Sequence, residues 1–248
     1  MTFFKTSIAS LVFAAASVCN AASVHIVFDN PIFNGSGSDN VTIKFANQNG
    51  IGSTTEYVAA GRFQGTGSNV VGVPTSIFVD GLNDLYMYCY DVFESISSGQ
   101  AVDYTINLNG EKARTLDFLG AVNSVLSVGK TYDPYAWLHP LNASQGAAIQ
   151  LGIWESLYDT SSTWSMANGA FQAWDLDGGT NTWLGKFFDK IDTTASLDGK
   201  YVMTFEARGA QDMIAGDPPA NVPEPASVAL VGLGLAGIAA MRKRRQQA

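Results

Sequence analysis

Two side chains of this sequence, Cys89 and Gln150, have types and settings that permit a chemical step between them. Cys89 stands in Leu85-Tyr86-Met87-Tyr88-Cys89-Tyr90-Asp91. At the two-residue period of a strand, Leu85, Met87, Cys89 and Asp91 face one side, and Tyr86, Tyr88 and Tyr90 the other. Gln150 belongs to residues 144–158, which carry helical spacing. Stepped at 100° per residue, Ile149, Ile153, Trp154, Leu157 and Tyr158 make one apolar face, with Ala148, Gly152, Glu155 and Asp159 opposite. Gln150 falls near the middle of the apolar face. An unpaired amide there would cost roughly 1–3 kcal/mol, so Gln150 requires a partner. That partner is either a backbone group or the thiol. A thiol and a carboxamide held in contact can condense: sulfur attacks the amide carbon, ammonia leaves, and a Cys–Gln thioester remains. The free reaction is slow, but well-oriented intramolecular pairs gain on the order of 7–11 kcal/mol. The plainer alternative makes Cys89 a small buried hydrophobe, Gln150 a cap on a core backbone group, and Trp154 ordinary packing.

Other residues offer less. Asp175-Leu176-Asp177-Gly178-Gly179 looks like a fragment of a calcium loop, but no later bidentate Glu follows at the right spacing, so an acidic turn is expected. His25 and His139 are the only histidines and stand in no ligand cluster, so neither a metal nor a cofactor is expected. His139-Pro140 reads as a loop before the helix, with Asn142 or Ser144 as N-cap. Gly65-Thr66-Gly67 lacks the helix pattern that a phosphate-cradling loop needs. No Ser-His-Asp arrangement stands out, so an envelope hydrolase is disfavoured and no multiple-turnover enzyme is expected. Trp164, Trp174 and Trp183 can line a sugar-binding surface or belong to the core.

The elements that must hold Cys89 and Gln150 are mixed. Residues 23–29, 41–45, 56–63, 76–79, 85–93 and 102–108 are short β-rich runs. Turn clusters such as Asn34-Gly35-Ser36-Gly37 and Asn47-Gln48-Asn49-Gly50 separate them. Residues 116–128 and 144–158 are helical in spacing. Residues 171–174 and 200–207 suggest further strands, and 182–191 a short helix. The expected fold class is α+β: a β-barrel or β-sandwich with a helical insertion over residues 23–217.

Both ends of the 248-residue chain read as targeting segments. Residues 1–22 hold Lys5, then an apolar run from Ile8 to Val18, then Cys19-Asn20-Ala21-Ala22, the pattern of a cleavable signal peptide. The run is too short to span a bilayer, and Val18 before Cys19 disfavours a lipoprotein. Cleavage is expected after Ala21 or Ala22. Cys89 is then the sole cysteine of an exported chain, with no internal disulfide partner, and must be buried or chemically committed. Residues 218–225 form a Pro-rich linker ending in Val222-Pro223-Glu224-Pro225. Residues 226–241 form an apolar segment of 16 residues, expected to be a transmembrane sorting helix, and 242–248 a basic tail with the cluster Arg242, Lys243, Arg244 and Arg245. At 1.5 Å per residue the segment falls slightly short of a roughly 30 Å hydrocarbon core, which flanking side chains or local thinning can accommodate. The basic end should stay cytoplasmic and leave the domain outside. The middle keeps nine basic and 21 acidic residues, a net charge near −12, which disfavours nucleic-acid binding.

The C-terminal arrangement, Val222, Pro223, Glu224 and Pro225 followed by one apolar segment and a basic end, resembles the PEP-CTERM sorting signal of Gram-negative bacteria. The resemblance implies cleavage by an exosortase in the inner membrane, in a biofilm- or floc-forming organism. Tyr88-Cys89-Tyr90 and Ile149-Gln150-Leu151-Gly152-Ile153-Trp154 resemble the paired motifs of thioester domains in bacterial surface adhesins. This second resemblance implies a Cys89–Gln150 crosslink, attacked once by an amine on a surface or matrix target. Asp91 is a candidate for tuning it. The competing expectation is a noncovalent structural or carbohydrate-binding matrix protein with the same tail.

Overall fold

In the computed structural model, which describes residues 21–217, alternating burial builds a barrel. β1 (Ser23–Phe28) buries Val24, Ile26 and Phe28, and β6 (Ala101–Asn107) buries Val102, Tyr104 and Ile106. Period-two burial of this kind turns one face of each strand inward. The two strands pair with each other and join β4 (Phe63–Val71), β5 (Leu85–Cys89), β8 (Val202–Glu206) and β9 (Met213–Gly216). The result is a closed antiparallel barrel of order β1-β4-β5-β9-β8-β6. Gly67 has a packing role here. A Cβ at that position would lie 2.7 Å from Leu85 and 2.8 Å from Leu82.

A second, three-stranded sheet stands beside the barrel. It is made of β2 (Ser38–Ala46), β3 (Ser53–Gly61) and β7 (Gln172–Trp174), in the order β3-β2-β7. Arg62 alone links β3 to β4, so the chain leaves one sheet and enters the other in a single step.

Three α-helices complete the domain: α1 (Ala113–Leu126), α2 (Ala143–Tyr158) and α3 (Gly178–Ile191). The side chain of Asn142 caps α2 by accepting from Gln145 N at 3.0 Å. Every residue of α2 from Gln145 to Leu157 is buried. Ala148, Gly152, Glu155 and Asp159, placed opposite the apolar face, are buried as well. The helix runs between the β2–β3 sheet and the pair α1 and α3, so both of its faces meet protein.

The barrel agrees with one branch of the expected fold class, while the expected helical insertion is interrupted by β7. The expected strand at 76–79 is a 3₁₀ turn, Thr75–Ile77. The expected strand at 85–93 stops at Cys89, and that at 56–63 breaks at Arg62. No described helix is long and apolar enough to cross a membrane. Residues 1–20 of the signal peptide and residues 218–248, with the linker, apolar segment and basic cluster, lie outside the described residues.

Candidate functional site

The site begins with a gap in the barrel. β4 pairs with β5 only as far as Phe63 opposite Met87. Continuing that register would set Gly61 against Cys89, but Gly61 is the end of β3 and pairs with Ser38. One edge of β5 is therefore open at Cys89. Gln150, projecting from α2, fills it. Cys89 N donates to Gln150 Oε1 at 2.8 Å, and Gln150 Nε2 donates to Cys89 O at 2.9 Å. The carboxamide stands in for a strand residue. It also lies directly against the residue that carries the thiol. Cys89 is 1% exposed and Gln150 is fully buried.

The surrounding residues hold this pair still. Ile149 and Ile153 are fully buried on either side of Gln150 in α2. Trp154 Nε1 donates to Asp91 O at 3.1 Å, and Gln211 Nε2 donates to the same oxygen at 3.0 Å. Tyr88 donates its hydroxyl to Trp137 O at 3.1 Å. The Tyr90 hydroxyl accepts from Lys112 N at 2.8 Å, which ties β5 to the start of α1.

Asp91 departs from the expectation that it shares a strand face with Cys89. β5 has ended, and the Asp91 carboxylate accepts from the N–H groups of Phe93, Glu94 and Asp212. It folds the turn and reaches Cys89 only through its charge. Burial pushes the Cys89 thiol well above its ordinary pKa, and the Asp91 charge adds to the rise.

A cavity of about 260 Å³ has Cys89 in its lining. Cys89 and Trp154 line it together with Val58, Ile96, Glu56 and Glu94. Its only ionisable residues besides the thiol are the two glutamates.

Other candidate residues are placed apart from the pair. Asp177 is the N-cap of α3, accepting from Thr180 N at 2.5 Å, which accounts for the acidic turn without a cation. His25 pairs with Asp103 at 2.7 Å and His139 with Asp80 at 3.0 Å, on separate parts of the surface. Trp164 is covered by Arg114 and packs on Phe118, and Trp183 stacks on Phe187, so these two do not form an open platform with the exposed Trp174.

Two features escaped the sequence. Oxygens of Asp91, Glu94 and Asp212 lie within 4.8 Å of one another. Each acid also receives a backbone N–H: Asp212 from Ala207 and Glu94 from Gly209, besides the Asp91 contacts above. The cluster clasps the 91–94 turn to the 207–212 turn. Only the i, i+3 spacing of Asp91 and Glu94 was visible in sequence. Glu155 is the second feature. It is fully buried, accepts from Ser165 N at 3.2 Å, and lies 3.6 Å from the Arg114 guanidinium. Burial raises its pKa to about 7.

Comparison with protein families matches residues 221–245 to the PEP-CTERM protein-sorting motif. No curated protein matches the chain, and no solved structure does. The thioester-domain resemblance therefore gains nothing from these comparisons. The motif takes in Val222, Pro223, Glu224 and Pro225 and the basic cluster from Arg242 to Arg245. It marks an exosortase-sorted, exported protein, membrane-anchored first and then displayed at the cell surface.

Proposed function

We propose that this exported protein attaches covalently to an amine-bearing surface or matrix component through a Cys89–Gln150 thioester. The observation that carries the reading is the buried, doubly hydrogen-bonded contact between the Gln150 carboxamide and the main chain of Cys89. Cys89 N–H already donates to the carbonyl oxygen on which charge would develop, a one-donor form of oxyanion stabilisation. In the forming step the Cys89 sulfur bonds to Gln150 Cδ and the Cδ–Nε2 bond breaks. The thiol proton leaves on nitrogen as ammonia. In the spending step an amine nitrogen bonds to Cδ, the C–S bond breaks, and a proton returns to sulfur. The products are an amide to Gln150 and a free Cys89 thiol, so each molecule reacts once and is not an enzyme in the turnover sense. Exosortase is the processing partner, and the inner membrane is the first anchor.

The same two hydrogen bonds support a second reading, in which Gln150 only caps the open edge of β5 and the protein is a noncovalent matrix component. Intact mass separates the two. The attachment reading expects the exported protein to be lighter by one ammonia, to lack a titratable thiol after denaturation, and to take up methylamine. Full mass with a titratable thiol in freshly exported protein would leave only the cap.

A further inference from the structure

β3 is the end strand of its sheet, hydrogen-bonded to β2 on one side only among the described residues. Exposed edges of this kind are usually blunted by lysine, proline or a covering segment. The outer part of β3, Ser53-Thr54-Thr55-Glu56-Tyr57-Val58, has no lysine and no proline. Tyr57 is 71% exposed and Ile51, just before the strand, is 76% exposed. The cavity at Cys89 is lined by Glu56, Val58 and Ala59. Glu56 and Val58 share one face of β3, with Ile43 of β2 paired opposite Glu56, so the cavity lies under that face, and the exposed Glu56 of the end strand is part of its lining. Its lining extends from these residues of the end strand to Cys89 and holds two glutamates and no cation.

We propose that the open edge of β3 docks an extended polypeptide segment of the attachment target, adding it as a strand and feeding one lysine side chain into the cavity toward Cys89. Strand addition supplies main-chain hydrogen bonds, and a pocket lined by the end strand supplies side-chain choice. Glu56 and Glu94 complement the ammonium, and the apolar wall of Val58, Ile96 and Trp154 suits the lysine stem. The covalent outcome rests on the thioester reading, whereas the docking does not.

The test uses a nine-residue Thr/Val peptide with one central lysine, and the same peptide N-methylated at alternate backbone positions. Both carry the same amine, but only the first can extend a sheet. With the wild-type protein, the unmodified peptide should form the amide adduct at least tenfold faster than the methylated one. A glucosamine oligomer should react no faster than methylamine. In the Cys89→Ala protein, which cannot form the thioester, millimolar unmodified peptide should protect the amides of residues 53–58 from hydrogen exchange. With a wild-type protein that does incorporate methylamine, equal peptide rates, or a glucosamine oligomer faster than the unmodified peptide, would overturn the docking. So would absence of protection in Cys89→Ala, whether or not the wild type incorporates methylamine. Loss of methylamine incorporation with protection intact would overturn the thioester alone.

Discussion

The ring of Phe118 from α1 rests on the bare backbone of Gly152 in α2. A Cβ on Gly152 would meet that ring at 2.0 Å. Trp164, Phe187 and Phe188 surround Phe118, so the ring has nowhere to turn. Gly152 weakens the helix locally, by roughly 1 kcal/mol relative to alanine, yet it brings α1 close to the helix that carries Gln150. Gly152→Ala should therefore destabilise the protein by about 1–3 kcal/mol, despite alanine's better helix propensity. Thermal unfolding checks this, and a raised melting temperature would refute the packing argument.

Cys89 and Gln150 should respond differently to truncation. Gln150→Ala leaves the buried N–H and C=O of Cys89 without partners, each worth about 1–3 kcal/mol. It should lower stability strongly and retain a titratable thiol. Cys89→Ala keeps both main-chain contacts and should lose no more than about 2 kcal/mol, while abolishing loss of ammonia. Denaturant unfolding with intact mass on both variants measures the contrast. Equal destabilisation by the two would count against the strand-edge role of Gln150.

Two buried acids and one half-buried acid set a pH dependence. Glu155 has its folded pKa raised from 4.5 to about 7, and Asp212 and Asp217 theirs from 3.8 to about 6, with burial first among the causes. In each case the folded state holds the proton more tightly than the unfolded state. Their contribution to stability is fully present below about pH 4 and is lost as pH rises through 6 to 7. Melting temperature should thus fall between pH 5 and pH 8. Glu155→Gln should flatten the upper part of that fall and stabilise the protein at pH 8, by up to roughly 3 kcal/mol. A melting temperature that climbs from pH 5 to pH 8 would contradict this.

Processing at the amino end should respect the barrel. Ile106 N donates to Ala22 O at 2.8 Å, extending the β1–β6 ladder by one residue. Cleavage after Ala21 retains that carbonyl and cleavage after Ala22 discards it. Mass spectrometry of the exported protein should find Ala22 at the amino terminus, and a mature chain starting at Ser23 would show that the extra bond does not matter.

Strands with clean alternation were legible in the sequence, because burial of one face writes period two into β1 and β6. β4 was hidden. Its Gly65 and Gly67 resemble loop residues until the neighbours that crowd them, Ile26 and Leu85, are in view. β9 is short and all its residues are buried, so Met213-Ile214-Ala215-Gly216 carries no period to read. The sequence placed Gln150 on a buried face and required it to have a partner, and both were found. It could not reveal that the partner is a strand edge vacated by Gly61, since that depends on where β4 begins. Glu155 was placed only on the face opposite the apolar one, and its burial was not legible because a helix wrapped on both sides has no solvent face.

β9 is the last described strand, and it lies inside the wall of the barrel with β5 on one side and β8 on the other. Just beyond it, Asp217 donates its N–H to Tyr201 O and accepts from the Tyr135 hydroxyl. Tension arriving through the chain after residue 217 would therefore load two ladders at once and could not peel a single edge. A surface protein tethered by that end has its mechanical grip in the same barrel that houses Cys89.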